Sequence, residues 1–453
     1  VKPNLSLSFG LRYDYDLQPA GTPRDNNNFG PRLSFAYDPF KTGRTVIRGG
    51  GGVYYQSLYT GTAFISSILE KGVISNILVS ADPRLTPISP TSPCGQALAA
   101  GTPPSFCFYQ NLVALGALTF PSKGSIPETA YSDWLGLTRA TSANRLLVRV
   151  APDTVNGYGI QGSLGVDHQF GRDWNVSVNY LVNHGVKLIR PRQANALPDP
   201  STPDALGRPA LIKRADPTRL ADFLFESVGN SVYHGVAVSV NKRFSRYYQV
   251  IGSYTYSKTI SDAADVNFEQ GPQDPTDARA DRGLSSFDLR HRLSIAAILE
   301  SPYRGGSGAW YERALADFYV SPILTARSGF PFDIRTGVDV NLDTNNNDRP
   351  FAVGRNTGIG PGYFTADLRV GRRIRFKADK PLGIEVIFDA FNLFNRTNFK
   401  EVNNVTSGAL YLSQLGITDV RVTGSSKKPA SQFSGFTSAY DPRVVQLAVK
   451  FNF

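Results

Sequence analysis

Between residues 339 and 348 the chain reads Asp-Val-Asn-Leu-Asp-Thr-Asn-Asn-Asn-Asp. Asp339, Asn341, Asp343 and Asp348 thus present carboxylate and amide oxygens at near-alternate positions, the hard-oxygen set that Ca²⁺ takes. Two EF-hand features are missing: Thr344 stands at position six, where glycine makes the turn, and Pro350 at position twelve, where a bidentate glutamate belongs. A solvated Asx-turn loop without a cation uses the same residue types, so both readings stay open. Any structural Ca²⁺ would sit in the segment 336–361, and no other cofactor is expected. The four histidines show no HExxH spacing, and there is no G-x-S-x-G elbow and no P-loop. His291 falls on the same face as Leu289 and Leu293, which suits a packed or interfacial ring better than a general base. No enzyme is expected.

The elements that position these groups are strands. At the end of the chain Val445, Leu447, Val449, Phe451 and Phe453 alternate with Gln446, Ala448, Lys450 and Asn452. A strict period of two gives one apolar and one polar face. An exposed aromatic edge strand at a chain end is a liability in water but is expected in a transmembrane barrel, whose outer face meets lipid. Mean hydropathy is −0.21, and no apolar run approaches the ~20 residues of a spanning helix. A barrel escapes that test because its strands dilute the apolar face. The 28 Phe, 21 Tyr and 42 Gly suit many strands joined by turns. The net charge of +11 is scattered singly, with no basic run, so nucleic acid is not an expected partner. The absence of methionine and of a signal peptide suggests a segment of a longer protein.

The same alternation recurs along the chain. The first strand carries Leu5, Leu7, Phe9, Leu11, Tyr13 and Tyr15; further strands are expected around 29–37, 45–55, 158–170, 176–182, 232–240, 250–256, 287–299, 318–332, 364–370 and 382–390, before the terminal one. That makes about twelve. Their connections alternate between short and long, with 56–154 a long insertion rich in Pro, Ser, Thr and Gly. Long loops at one end and short turns at the other are what an outer-membrane barrel requires, while a sandwich or propeller has no reason to keep every second loop long. The predicted fold is therefore all-β, an antiparallel transmembrane β-barrel with long extracellular loops and short periplasmic turns.

Several segments resemble the barrel of TonB-dependent receptors, in particular the Oar-like group: FGPRLSFAYDPFKTGRTVIRGG at 29–50, VNHGVKLIRPR at 182–192, FDLRHRL at 287–293, FDAFNLFNRTNF at 388–399 and the closing VQLAVKFNF. The resemblance spans nearly the whole chain and implies about the last twelve strands of a 22-stranded barrel, without the plug and the first strands. It implies the bacterial outer membrane and energised uptake of a bulky, scarce ligand (siderophore-, peptide- or glycan-like), working with the TonB complex through the missing plug. A passive porin or a surface adhesion barrel is the alternative. Leu447, Val449, Phe451 and Phe453 resemble the signal read by the barrel-assembly machinery, and outer-membrane lipid and lipopolysaccharide would be the other partners. Arg12, Asp14, Arg32, Arg48, Asp367 and Arg369 would line the lumen, facing a plug or a hydrated pore. In an oxidising envelope compartment, Cys94 and Cys107 would pair as a disulfide.

Overall fold

The computed structural model describes residues 3–453 except 19–21, 58–60, 62–75, 78–87, 137–144, 204–208, 264–270, 377–381, 405–435 and the positions 120, 122, 125, 128, 218, 306, 307, 338, 351 and 352. The expected turn at 377–381 and most of the loop 393–440 lie outside the described residues.

Twelve strands hydrogen-bond to one another in chain order, forming a single antiparallel meander. They are β1 (Leu5–Asp14), β2 (Asn28–Tyr37), β3 (Thr45–Tyr55), β4 (Tyr158–Phe170), β5 (Trp174–Gln193), β6 (Ala221–Ser245), β7 (Tyr248–Ser261), β8 (His291–Glu300), β9 (Phe318–Arg327), β10 (Tyr363–Arg375), β11 (Gly383–Phe391) and β12 (Val444–Asn452). Because consecutive strands are antiparallel, the links after odd-numbered strands share one end of the wall and those after even-numbered strands share the other. The first set is long and the second short, as the alternation predicts, except after β8, where the link 301–317 is longer than the link 15–27 after β1.

Cross-strand register fixes the two faces. Leu5 pairs with Tyr37 and Leu7 with Phe35, Ile47 pairs with Val166, and Val386 pairs with Val449. One face carries these apolar side chains outward: Phe9 is 78% exposed, Leu11 70% and Leu447 79%. In water such a surface would be far beyond what a monomer tolerates; against hydrocarbon it is the stable arrangement. The wall is one layer thick and holds almost no core of its own. The apolar clusters lie instead at the long-loop end, in Leu147, Val148, Ala221, Phe223 and Phe225, and in Ala210, Leu220 and Leu342.

Three expectations need correction. Strands β5 and β6 run to 20 and 25 residues, well past the stretches 176–182 and 232–240. About ten residues suffice to cross a bilayer, so this hairpin projects beyond the lipid at its long-loop end. Strand β8 starts at His291, not Phe287, because Asp288 turns away to accept the Thr259 amide at 2.6 Å. Strand β9 ends at Arg327; Pro331–Phe332 leaves the wall and pairs with Gly358–Ile359. The described residues of the insertion 56–154 include the helices α1 (Pro93–Ala99), α2 (Pro104–Ala114) and α3 (Ala130–Leu135). It also supplies the strand Arg145–Val150, which pairs in parallel with the projecting part of β6.

At the short end, the turn between β6 and β7 has two residues, Arg246 and Tyr247, both with positive φ (49° and 70°). Asn-Gly is the usual choice there, and two bulky residues are strained. Lys242 holds the turn closed. Its buried Nζ donates to the carbonyls of Arg243, Ser245 and Tyr248, each at 3.0 Å, and to Ser245 Oγ at 2.9 Å.

Candidate functional site

Two surfaces can meet a ligand: the polar face of the wall and the crown of folded links above it. On the wall, every residue expected to line a lumen lies on the face opposite the exposed apolar one. Gly10 pairs with Arg32, Ala36 with Arg48, and Ile323 with Asp367, so period two carries the polarity from strand to strand. The charges are cross-linked within this face. Arg12 Nε meets Asp14 at 2.6 Å and Arg48 Nε meets Asp167 at 2.9 Å. Arg369 grips Asp389 with two hydrogen bonds of 2.7 and 2.9 Å, and Arg373 reaches Glu300 at 3.1 Å. The Arg32 guanidinium lies 4.5 Å from the centre of the Tyr54 ring, and Asp367 accepts the Asn392 amide at 2.8 Å. A groove of about 900 Å³ opens on β1 to β6, lined among others by Arg32, Arg48, Tyr54, Gln161, Asn183 and Tyr233. Glycines let the wall pass close at this point: a Cβ on Gly51 would come within 2.7 Å of the Gln161 carbonyl.

The crown is a second body of packed polar structure. Helices α1 and α2 are joined by the Cys94–Cys107 disulfide, with Cα atoms 5.6 Å apart, and both sulfurs pack on Leu135 of α3. Ser92 caps α1 by accepting the Gly95 amide, and a proline opens each of the first two helices. Across the links, Asn156 Nδ2 donates to Asp16 at 3.1 Å, Gln193 Nε2 to the Asp343 carbonyl at 3.1 Å, and Asn341 Nδ2 to the Gln273 carbonyl at 2.6 Å. Arg349 and Asp281 form a fully buried ion pair, and Arg355 Nη1 donates to the Ser261 carbonyl at 2.8 Å. Sequence reasoning missed Gln193, Asp281, Arg349 and Arg355, which obey no period and have no motif to mark them. Among the described residues, no three His, Cys, Asp or Glu side chains form a metal-ligand group by themselves.

The family model described as outer membrane beta barrel domain matches residues 16–354. The chain belongs to this family. It is accordingly a protein of the bacterial outer membrane. Among solved structures, the barrel is similar to the outer membrane transporter YddB from Escherichia coli, with a TM-score of 0.53 at 12% identity over 99% of this chain and 43% of that one. It is also similar to a mutant of the ferric enterobactin receptor PfeA from Pseudomonas aeruginosa, with a TM-score of 0.50 at 12% identity over 100% of this chain and 43% of that one. At such identities the likeness concerns the fold, and the chain spans less than half of either structure. Among curated proteins there is no significant match.

On this barrel, Leu447, Val449 and Phe451 of β12 point outward, and Phe453 lies just past the strand, 97% exposed. His291 lies on the same outward face, where the Tyr254 hydroxyl meets its Nδ1 at 2.8 Å. That contact fits an interfacial ring between two tyrosines.

The disulfide closes a small loop in the crown and touches no wall strand. By the chain-entropy argument it contributes about 3 kcal/mol. The full-length protein carrying Cys94→Ser and Cys107→Ser is expected to reach the membrane normally, yet be cut by protease within 93–114 faster than the parent. In the parent, alkylation without reductant is expected to modify neither sulfur. Modification of both would show that the crown does not depend on the bond.

Proposed function

We propose that this chain is the barrel portion, about the last twelve strands, of a TonB-dependent receptor that takes up a bulky, scarce ligand with energy from the TonB complex. The observation that carries the reading is the crown: the long links fold onto one another with their own apolar clusters and buried ion pairs, above a wall whose inner face is a lattice of paired charges. A passive pore has no need of so heavily built a cap, whereas a receptor that captures its ligand outside does. Likeness in fold to a transporter and to a siderophore receptor supports the same choice. The charged inner face is then the surface that a plug, supplied by the rest of the protein, would pack against. The long loops face the outside, with 56–154 the largest, and the exposed side chains of β12 present themselves to the barrel-assembly machinery.

The test is uptake by cells making the full-length protein, with ferric enterobactin, cyclic peptides and oligosaccharides as labelled probes. At least one probe is expected to accumulate, and to stop accumulating when TonB is deleted or a protonophore is added. Proteoliposomes that pass small sugars freely without any energy source would favour a porin and overturn the proposal. Orientation is checked separately. Single cysteines at Ser201 and Thr276 should label from intact cells with an impermeant maleimide, and cysteines at Lys41 and Arg172 should not, all in the Cys94→Ser, Cys107→Ser background.

A further inference from the structure

We propose that the crown segment 339–348 is a Ca²⁺ site, built from the side-chain oxygens of Asp339, Asn341, Asp343 and Asn347, with Asp348 bracing the loop. Its first support is an oxygen with nothing to hold. Asp343 is completely buried, and while its Oδ1 accepts the Asn345 amide at 2.7 Å, its Oδ2 accepts no hydrogen bond. Asn347, 6% exposed, repeats this: its Nδ2 donates to the Gly271 carbonyl at 2.9 Å, but its Oδ1 is unmatched. A buried oxygen without a donor costs about 1–3 kcal/mol, more when charged, and a cation removes that cost.

The second support is the way the loop wraps. The Asp343 amide donates to Asp339 Oδ1 at 3.1 Å and to Asn341 Oδ1 at 3.0 Å, which brings these two oxygens to one point. The Thr344 amide donates to Asp339 Oδ2 at 2.8 Å. Thr344 has φ +85°, so it makes the position-six turn usually left to glycine. Asp348 Oδ2 accepts the amides of Val340 and Asn341 at 2.6 and 3.2 Å and so closes the loop from its far end.

Charge is the third. Asp339 and Asp348 repel each other and both repel Asp343, and the Arg214 guanidinium attracts Asp339 and Asp343. Among the described residues fewer than three carboxylates converge on one point, so the set includes the amide oxygens of Asn341 and Asn347. Ca²⁺, with six to eight flexible oxygen ligands, accepts this; Mg²⁺, which demands a near-ideal octahedron and keeps its waters, does not.

The experiment uses the full-length receptor, refolded in detergent free of lipopolysaccharide and dialysed against Ca²⁺, with bound metal counted per chain. The Asp343→Asn variant is expected to hold one Ca²⁺ fewer than the parent, and the exposed Asp153→Asn variant the same number. Equal counts for Asp343→Asn and parent would overturn the site, as would a tenfold excess of Mg²⁺ displacing the ion. If Asp343→Asn does not refold, the parent decides. Tryptic cleavage after Arg355 should slow at least tenfold when Ca²⁺, but not Mg²⁺, replaces EGTA, and an unchanged rate would refute the proposal.

Discussion

Replacing Arg349 by methionine is expected to open the crown while leaving the wall intact. Arg349 and Asp281 are both under one-tenth exposed, and the pair is embedded: Asp281 also accepts the Gln273 amide at 2.9 Å, and Gln273 Nε2 donates back to the Arg349 carbonyl at 3.4 Å. Removing one partner leaves a buried carboxylate uncompensated, at a cost of about 3–5 kcal/mol. That much is comparable to what holds a set of loops together, so the links near 271–281 and 341–349 should lose protease protection. The double replacement Arg349→Met with Asp281→Leu removes both charges and should recover a good part of the loss, because a well-packed apolar pair can stand in for a buried ion pair. The measurement is the proteolysis rate of the refolded full-length protein, compared with the resistance of its strands to heating in detergent. If the single and double variants were both as protected as the parent, the buried pair would not organise the crown.

The second large effect concerns β12. Phe451→Asp is expected to cut the amount of full-length protein reaching the outer membrane several-fold. Phe451 pairs with Ile384 on the outward face and is 70% exposed. Near the membrane rim a charge on the lipid face costs about 0–1 kcal/mol, so the finished barrel should hardly notice it. The loss is expected in assembly, where the outward row Leu447, Val449, Phe451 and Phe453 is what the machinery would read. Phe453→Ala, or deletion of Phe453, should act in the same direction but less, and Asn452→Ser, on the inward face, should be nearly silent. The checks are quantitative blotting of the outer-membrane fraction and heat-modifiability of barrels refolded in vitro. Equal losses for Asn452→Ser and Phe453→Ala would show that the row is not what is read.

Period two made the wall legible. A rule that sends each successive side chain to the opposite face needs no knowledge of neighbours, so the strand count and the inward placement of Arg12, Asp14, Arg32, Arg48, Asp367 and Arg369 could be read from spacing. The rule fails where both faces are covered. Residues 185–193 of β5 and 221–231 of β6 rise into the crown, where Phe223 and Phe225 share a core with Leu147 and Val148, and the alternation dissolves. At β8 it misled in the other direction: Phe287 and Leu289 keep the period while Asp288 already belongs to a loop. The helices of 93–135 are short and weakly amphipathic, and their signals, Ser92 before Pro93 and Pro104 at a first turn, were local and easily passed over in a polar stretch. The ion pair of Arg349 with Asp281 has no sequence signature at all, since its members meet only after several strands have aligned.

The hydrogen bonds that knit the crown have a bearing on time. Gln193 and Asp343 are 150 residues apart, and Asn156 and Asp16 are 140 apart. Contacts so remote in sequence can form only once the intervening strands have brought their ends together. The crown must therefore mature last, after the wall has zipped up in the lipid. In a pulse-chase experiment, resistance of the strands to heating should be acquired before resistance of the links to protease. The interval between the two is a clock for the closing stage of biogenesis, readable in living cells without any knowledge of the protein's function.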